Sequence, residues 1–262
     1  MARQDVNKTL KRCWQALILM LAGTCAAAET GPPRIAIIID DLGYQKAAGE
    51  RAINLPGPIS YAILPNTPRD AYLAKFAHAH GKEVLLHLPL QAEQDRSAVG
   101  GSLLLDMSRQ QFLQAFASSI DAVPHVVGVN SHRGSLLTRH PGHMGWLMEE
   151  ILDRGNLFFV DSYTTAESVA LRVANESGVP ALRRDVFLDP DPEPETLVRE
   201  FARLKKLARQ QGFAVGIGHP YTGTLDFLEE ALPLLTEEGY DLVSIGDLVA
   251  LRAEPLSTTS AD

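Results

Sequence analysis

The run Arg34 to Tyr44, RIAIIIDDLGY, constrains this chain more than any other stretch. Ile35 to Ile39 is unbroken apolar sequence, mostly β-branched. A run with no polar alternation fits a strand covered on both faces, as in a parallel sheet. Asp40 and Asp41 follow at once, and Gly43 supplies a turn. An unpaired carboxylate is costly to bury, so two of them after such a strand serve a polar site, a loop or a helix cap better than a core. In α/β proteins the carboxyl ends of parallel strands are where sites form.

The pattern repeats along the chain. Apolar runs predict further strands at 59–64, 83–88, 126–129, 157–160, 181–188, 213–217 and 241–245. Helical segments separate them. One spans 45–53, and another opens at Thr67-Pro68 and stops at Gly81. A third has a Ser108/Gln111 capping box and an apolar face of Phe112, Leu113, Phe116 and Ile120. Met144, Leu147, Met148, Ile151 and Leu152 form the next face, followed by a short helix at 167–176. Leu197, Val198, Phe201, Leu204 and Leu207 give the clearest helical period, ended by Gly212, and a last helix covers 225–237.

Alternating strands and helices make an α/β protein with a mainly parallel sheet. Polar residues follow the first, third, fourth, fifth and seventh strands, all on the carboxyl-end side. Strands lie ~4.8 Å apart, so in an open sheet the outermost of these residues would stand on the order of 20 Å from each other. A barrel of seven or eight strands turns them all toward one mouth, and a closed or nearly closed barrel is the expected fold.

Residues 1–28 read as an export signal: Lys8, Lys11 and Arg12, then the short apolar run at 16–23, then Ala26-Ala27-Ala28. The apolar run is shorter than the ~20 residues of a membrane span. The expectation is therefore a periplasmic protein with no stable membrane insertion after cleavage, and an uncleaved anchor is the alternative. A short linker at 29–33, one domain at 34–252 and a polar tail at 253–262 complete the division. The signal segment holds four basic residues and one acidic, so the rest of the chain carries a net charge of −11, against −8 for the whole. That balance argues against nucleic acid as a partner. Cys13 and Cys25, the two cysteines of the chain, both lie in the signal segment. Disulfides and thiolate metal sites are thereby excluded from the domain, leaving His, Asp and Glu as ligands.

Of the eight histidines, His78 and His80 sit at a helix end, where a cation suits the dipole. His125, His140 and His143 fall in loops or at a helix start. His87, His132 and His219 each follow an apolar strand. Each alone could be a hydrogen-bonded core histidine; with Asp40 and Asp41 they suggest a metal site, since two imidazoles and a carboxylate are a common catalytic zinc set.

The segments IIIDDLGY, LLHLPL, GVNSHRGS, FFVDSYTT, RRDVFLD and GIGHPY occur in that order. As an ordered set they resemble the divergent polysaccharide deacetylases, relatives of the NodB-type carbohydrate esterases, over about Arg34 to Leu251. The resemblance implies a distorted (β/α) barrel, one divalent metal, usually zinc, and removal of acetyl groups from a glycan or peptidoglycan-like substrate. It further implies Asp40 as catalytic base, His219 as general acid and Asp161 as a residue orienting its neighbours. Asp41, His87 and His132 would hold the metal, and Asn130, Arg133 and Ser162 would meet substrate. In NodB-type enzymes both histidine ligands come from one HxxxH-like motif. Here Leu88-Pro89-Leu90-Gln91 follows His87, so His132 must serve from the next strand. Arg133 stands where the family more often has an apolar residue, and would face an anionic substrate or solvent. The departure from HxxxH also favours a rival, a non-catalytic glycan-binding or envelope-assembly protein on a deacetylase-like barrel.

Overall fold

The computed structural model describes residues 31–94, 101–191 and 193–253. The expected signal at 1–28 and all but the first residue of the expected tail lie outside these. Nine strands are present among the described residues: β1 (Arg34–Leu42), β2 (Ser60–Ile63), β3 (Glu83–Leu90), β4 (Val126–Arg133), β5 (Phe158–Asp161), β6 (Ala181–Arg183), β7 (Val186–Phe187), β8 (Phe213–Gly218) and β9 (Asp241–Val243). Their order is β6-β5-β4-β3-β2-β1-β8-β7, with every pairing parallel. β9 lies off this path, paired with Arg34 to Ala36 at the start of β1. Eight helices surround the sheet among the described residues: α1 (Lys46–Ile53), α2 (Asp70–Ala79), α3 (Arg109–Ala122), α4 (Pro141–Asp153), α5 (Ala170–Ser177), α6 (Pro194–Gln211), α7 (Thr222–Ala231) and α8 (Ile245–Ala253).

The strand expected at 181–188 is divided into β6 and β7, which pair with opposite edges of the sheet. The chain itself joins the two edges, and consecutive hydrogen bonds mark the crossing: the Arg184 amide donates to the Asp161 carbonyl of β5, and the Asp185 amide to the Val215 carbonyl of β8. Successive amides of an extended chain point to opposite sides. One segment thus leaves the β5 edge and joins the β8 edge, curling the sheet into the distorted barrel.

Period-two alternation sorts the strand side chains into two layers. Ile35, Ile37 and Ile39 of β1, Val84, Leu86 and Leu88 of β3, and Phe159 of β5 pack with the helices in the larger buried cluster. Ala36 and Ile38 of β1, Leu85 of β3, Phe158 and Val160 of β5, Leu182 of β6, and Val215 and Ile217 of β8 fill the barrel interior. Ile245, Leu248 and Val249 of α8 join that interior cluster.

Several local expectations are revised. Thr67 does not cap α2: its hydroxyl donates to the Leu64 carbonyl, and the helix begins at Asp70 after Arg69. The Ser108/Gln111 capping box is present at α3. The last helix expected at 225–237 ends at Ala231 and passes into a 3₁₀ turn, Leu232–Leu234, where Pro233 lacks an amide to continue the ladder. Strand β9 stops at Val243 rather than Ile245, because Ser244 caps an unexpected helix, α8, by accepting from the Asp247 amide.

Candidate active site

β1 does not end at Asp40; it continues to Leu42. Alternation carries Asp40 inward behind Ala36 and Ile38, and would turn Asp41 outward among the helices. Two irregularities reverse this. The β1–β2 register shifts between Ile39 and Leu42, and Asp41 has a φ of 60°, in the left-handed region. Asp41 is thus swung back toward the barrel mouth beside Asp40. Such backbone conformations cost of order 1–3 kcal/mol and cluster at functional sites.

Three donor atoms converge there. Asp41 Oδ1 lies 3.0 Å from His87 Nε2 and 3.0 Å from His132 Nδ1, and the two ring nitrogens are 3.0 Å apart. Asp41 Oδ1 is buried with no hydrogen-bond partner among the described residues. A near-equilateral triangle of oxygen and nitrogen donors around an unpartnered carboxylate oxygen suits a small cation: ligands at ~2.0–2.1 Å from zinc in a tetrahedron stand roughly 3.3 Å apart. The residues therefore fit a divalent metal.

The electrostatics agree. Although burial opposes it, the rings of His132 and His87 hold Asp41 far below the usual carboxylate range. Burial also works against the His87 cation, yet Asp40 and Asp41 outweigh it and raise that group to about 9. Burial, and then the charge of His87, lower His132. Asp40, 3% exposed, is raised by burial.

Around the triangle lies a cavity of about 390 Å³, whose lining includes Asp40, Ser162, Arg133 and His219. Asn130, expected to touch substrate, does not line it. It is fully buried, accepting from His87 Nδ1 at 2.8 Å and donating to Asp40 Oδ1 at 2.7 Å. Asn130 therefore sets the His87 tautomer, leaving Nε2 for the triangle, and holds Asp40 in place. Asp161 does not line the cavity either. Alternation turns it outward with Phe159, where it accepts from the Ser168 hydroxyl and the Tyr163 amide. Ser162, the next residue, faces the cavity instead, and its buried hydroxyl has no partner among the described residues. Arg133 is exposed at the rim with a φ of 59°, its carbonyl accepting from the Thr164 hydroxyl.

His219 stands across the cavity, its Nε2 3.7 Å from Asp41 Oδ2. Its Nδ1 donates to Asp189 Oδ1 at 2.9 Å, and its amide to Asp189 Oδ2 at 2.7 Å. The Thr224 hydroxyl steadies the same carboxylate. Burial disfavours the His219 cation, but Asp189 more than compensates and raises its pKa.

Asp189, Arg184 and Phe187 are site residues that sequence reasoning did not assign. Arg184 lines the cavity, donating to the Ser162 and Tyr163 carbonyls, and Phe187 lies edge-on to His219. All three sit in RRDVFLD, and continuing the alternation from Leu182 to Arg184 was the available signal for the arginine. Asp189 directly follows the strand expected at 181–188, so its strand-end position was a signal, whereas its partner, 30 residues away, was not.

Comparison with known proteins places this arrangement. The family model described as divergent polysaccharide deacetylase matches residues 37–249. The Escherichia coli K12 protein YibQ, uncharacterized, is 35% identical over 197 residues, covering 75% of this chain. The chain spans 61% of that relative's length. An uncharacterized Haemophilus influenzae protein is 35% identical over 93% of this chain and 86% of its own. Among solved structures, the uncharacterized ATU2773 of Agrobacterium tumefaciens superposes with a TM-score of 0.79 at 20% identity, covering 84% of this chain and 91% of its own. The catalytic domain of a peptidoglycan N-acetylglucosamine deacetylase from Eubacterium rectale reaches 0.52 at 14%, over 83% and 90%. A CE4 family pseudoenzyme from Bacillus anthracis reaches 0.52 at 13%, over 83% and 66%. At these identities the structures share the deacetylase-like fold and nothing more. With the family model spanning the barrel and both sequence relatives above 30% identity, the chain belongs to the divergent polysaccharide deacetylase family.

Proposed function

We propose that this protein is an exported, metal-dependent deacetylase that removes acetyl groups from a glycan, with peptidoglycan-type sugars as its substrate class. The observation that carries the reading is the triangle of Asp41, His87 and His132 opening on one cavity with Asp40 and His219. A carboxylate and two imidazoles suit zinc best. When bound, such an ion supplies the positive charge that polarises an acetyl carbonyl and acidifies a water.

The chain's own residues supply the rest. Asp40, raised by burial and fixed by Asn130, takes the water's proton. His219 protonates the departing amine or alcohol through Nε2, while Asp189 holds its Nδ1 proton and orients the ring. The Ser162 hydroxyl and Arg133 contact the sugar. Residues 1–28 direct the chain to the periplasm.

The test is acetate release from acetylated chito-oligosaccharides and from peptidoglycan, with zinc content measured alongside. Asp41→Ala and His132→Ala are expected to abolish both metal retention and turnover. Unchanged zinc content in both variants would refute the site. Bound metal and bound glycan with no acetate released from any substrate would favour the rival reading of a glycan-binding protein, which the pseudoenzyme on the same fold makes concrete.

A further inference from the structure

Away from the two aspartates, the cavity has a wall of the opposite character. Counted around the barrel, β5 is the strand farthest from β1. Ser162 directly follows β5 and Arg184 lies at the β6–β7 joint, and both line the cavity together with Thr164 and Arg133.

Arg184 is the unusual member. Its Nε donates to the Ser162 carbonyl at 2.6 Å and its Nη2 to the Tyr163 carbonyl at 2.9 Å. The guanidinium lies over the Phe187 ring, with Cζ 4.9 Å from the centroid. Neutral groups thus fix one edge and one face of the cation. Among the described residues, no carboxylate stands within ion-pair distance of Arg184, and its Nη1 makes no hydrogen bond. By contrast, the exposed Arg109, Arg154 and Arg172 each pair with a glutamate. The half-buried arginine therefore lacks the partner that solvent-facing ones have, although burial works against its charge. A cation so placed is costly unless something pairs with it. Ser162 adds a second unmet demand, being 4% exposed with a hydroxyl that has no partner among the described residues. Neither feature helps the fold, and both suit a ligand that brings negative charge and acceptor oxygens.

The free geometry selects among anions. With the Nε/Nη2 edge occupied, the Nη1/Nη2 end of the guanidinium remains, and its two parallel N–H groups match the two oxygens of a carboxylate. The cavity of about 390 Å³ equals roughly 13 waters at ~30 Å³ each, which accommodates a whole acetylated ring and not the acetyl group alone.

We propose that this wall is a carboxylate site and that the substrate is an acetylated sugar acid: the ring that loses its acetyl group itself carries a carboxylate, held by Arg184 and Ser162 with Arg133 at the rim. The assignment rests on the deacetylase reading for what reacts in the cavity. A uronate at C5 and a lactyl ether at C3 both present such a group.

The experiment measures kcat/KM for acetate release by the zinc-loaded protein from N-acetylmuramic acid, from N-acetylglucosaminuronic acid, and from the primary amide of each, which keeps the shape and removes the charge. The better acid should exceed its amide about tenfold or more, equivalent to ~1.4 kcal/mol, and which acid does so identifies the source of the carboxylate. Arg184→Gln should bring the acid-to-amide ratio close to one, and Ser162→Ala should lower it about threefold. A merely structural arginine would, when replaced, slow acid and amide alike; a wild-type ratio in Arg184→Gln thus overturns the site. If that variant does not fold, an unchanged ratio in Ser162→Ala does the same. Wild-type protein that deacetylates amides as fast as acids overturns the site while leaving the deacetylase reading intact. Should no substrate release acetate, calorimetric titration with the same acids and amides decides. Binding of an acid several-fold tighter than its amide, with the difference lost in Arg184→Gln or reduced in Ser162→Ala, upholds the site, and equal binding overturns it.

Discussion

At the scale of single residues, the site depends on one backbone reversal. Asp40 and Asp41 are neighbours on a strand, and alternation alone would send them to opposite faces. The left-handed φ of Asp41 and the shifted register bring both to the same cavity. A glycine would adopt that conformation freely, but it would remove the carboxylate whose orphaned oxygen completes the triangle. The pairing of His219 with Asp189 makes a second residue-scale statement. Because Asp189 raises the His219 pKa above 6.5, the general acid stays protonated to higher pH than an isolated imidazole would. Asp40 is raised by burial, so the acidic limb should lie above the range of an exposed aspartate. Asp189→Asn is expected to move the basic limb of the kcat/KM profile to lower pH and leave the acidic limb in place. A basic limb that does not move would show that His219 is not the group titrating there.

At the scale of elements, the two ends of the barrel use polar residues differently. At the mouth they converge on a cavity; at the amino-terminal end they fasten a helix. Glu83, the first residue of β3, accepts from the Ser60 and Ser244 hydroxyls and from the Gly246 amide. It thereby ties β2, β3 and the first turn of α8 together, with α8 inserting Ile245 and Leu248 into the interior cluster. Glu83→Ala leaves three donors without their acceptor and should destabilise the fold by about 2–3 kcal/mol, measured by urea unfolding, without altering zinc content. This helix went unread because its apolar positions merge with β9. The segment 241–245 looks like one continuous strand, and only the Ser244 cap, satisfied in three dimensions, separates strand from helix. Thr67-Pro68 failed for the converse reason: the sequence pattern of a cap was present, but the Thr67 hydroxyl is turned to donate to the Leu64 carbonyl and accepts from no helix amide among the described residues, while the Thr67 amide donates to Asp70.

At the scale of the whole molecule, the metal triangle joins β1, β3 and β4, so a cation should act as a clasp across three strands. Zinc at 100 times its dissociation constant should add ~2.7 kcal/mol to stability. That is roughly 5–10 °C in the unfolding temperature of a domain this size. Chelator should remove the increment, and His132→Ala should show none of it; an unfolding temperature that ignores zinc in the wild-type protein would argue against the clasp. The mainly parallel sheet, the buried faces of β1 and β3 and the closing of the sheet were legible because they follow from local periodicity and from counting polar strand ends. The candidate site was legible in part. His87, His132 and His219 announce themselves as polar residues after apolar runs. Asp161 does so equally, yet it faces the helices, and Asn130 lies beneath the site rather than in it.

The sequence by itself determined most of the strand and helix segments and which strand ends carry polar chemistry, since each of these rests on neighbours within a few residues; it did not separate β6 from β7 or α8 from β9. Tertiary structure alone decided which polar residues meet. That decision depended on the bulge at Asp41, on the segment 181–187 joining the two sheet edges, and on contacts such as His219 with Asp189 and His87 with Asn130. Those contacts span 30 and 43 residues of chain, a separation at which local pattern carries no information about distance.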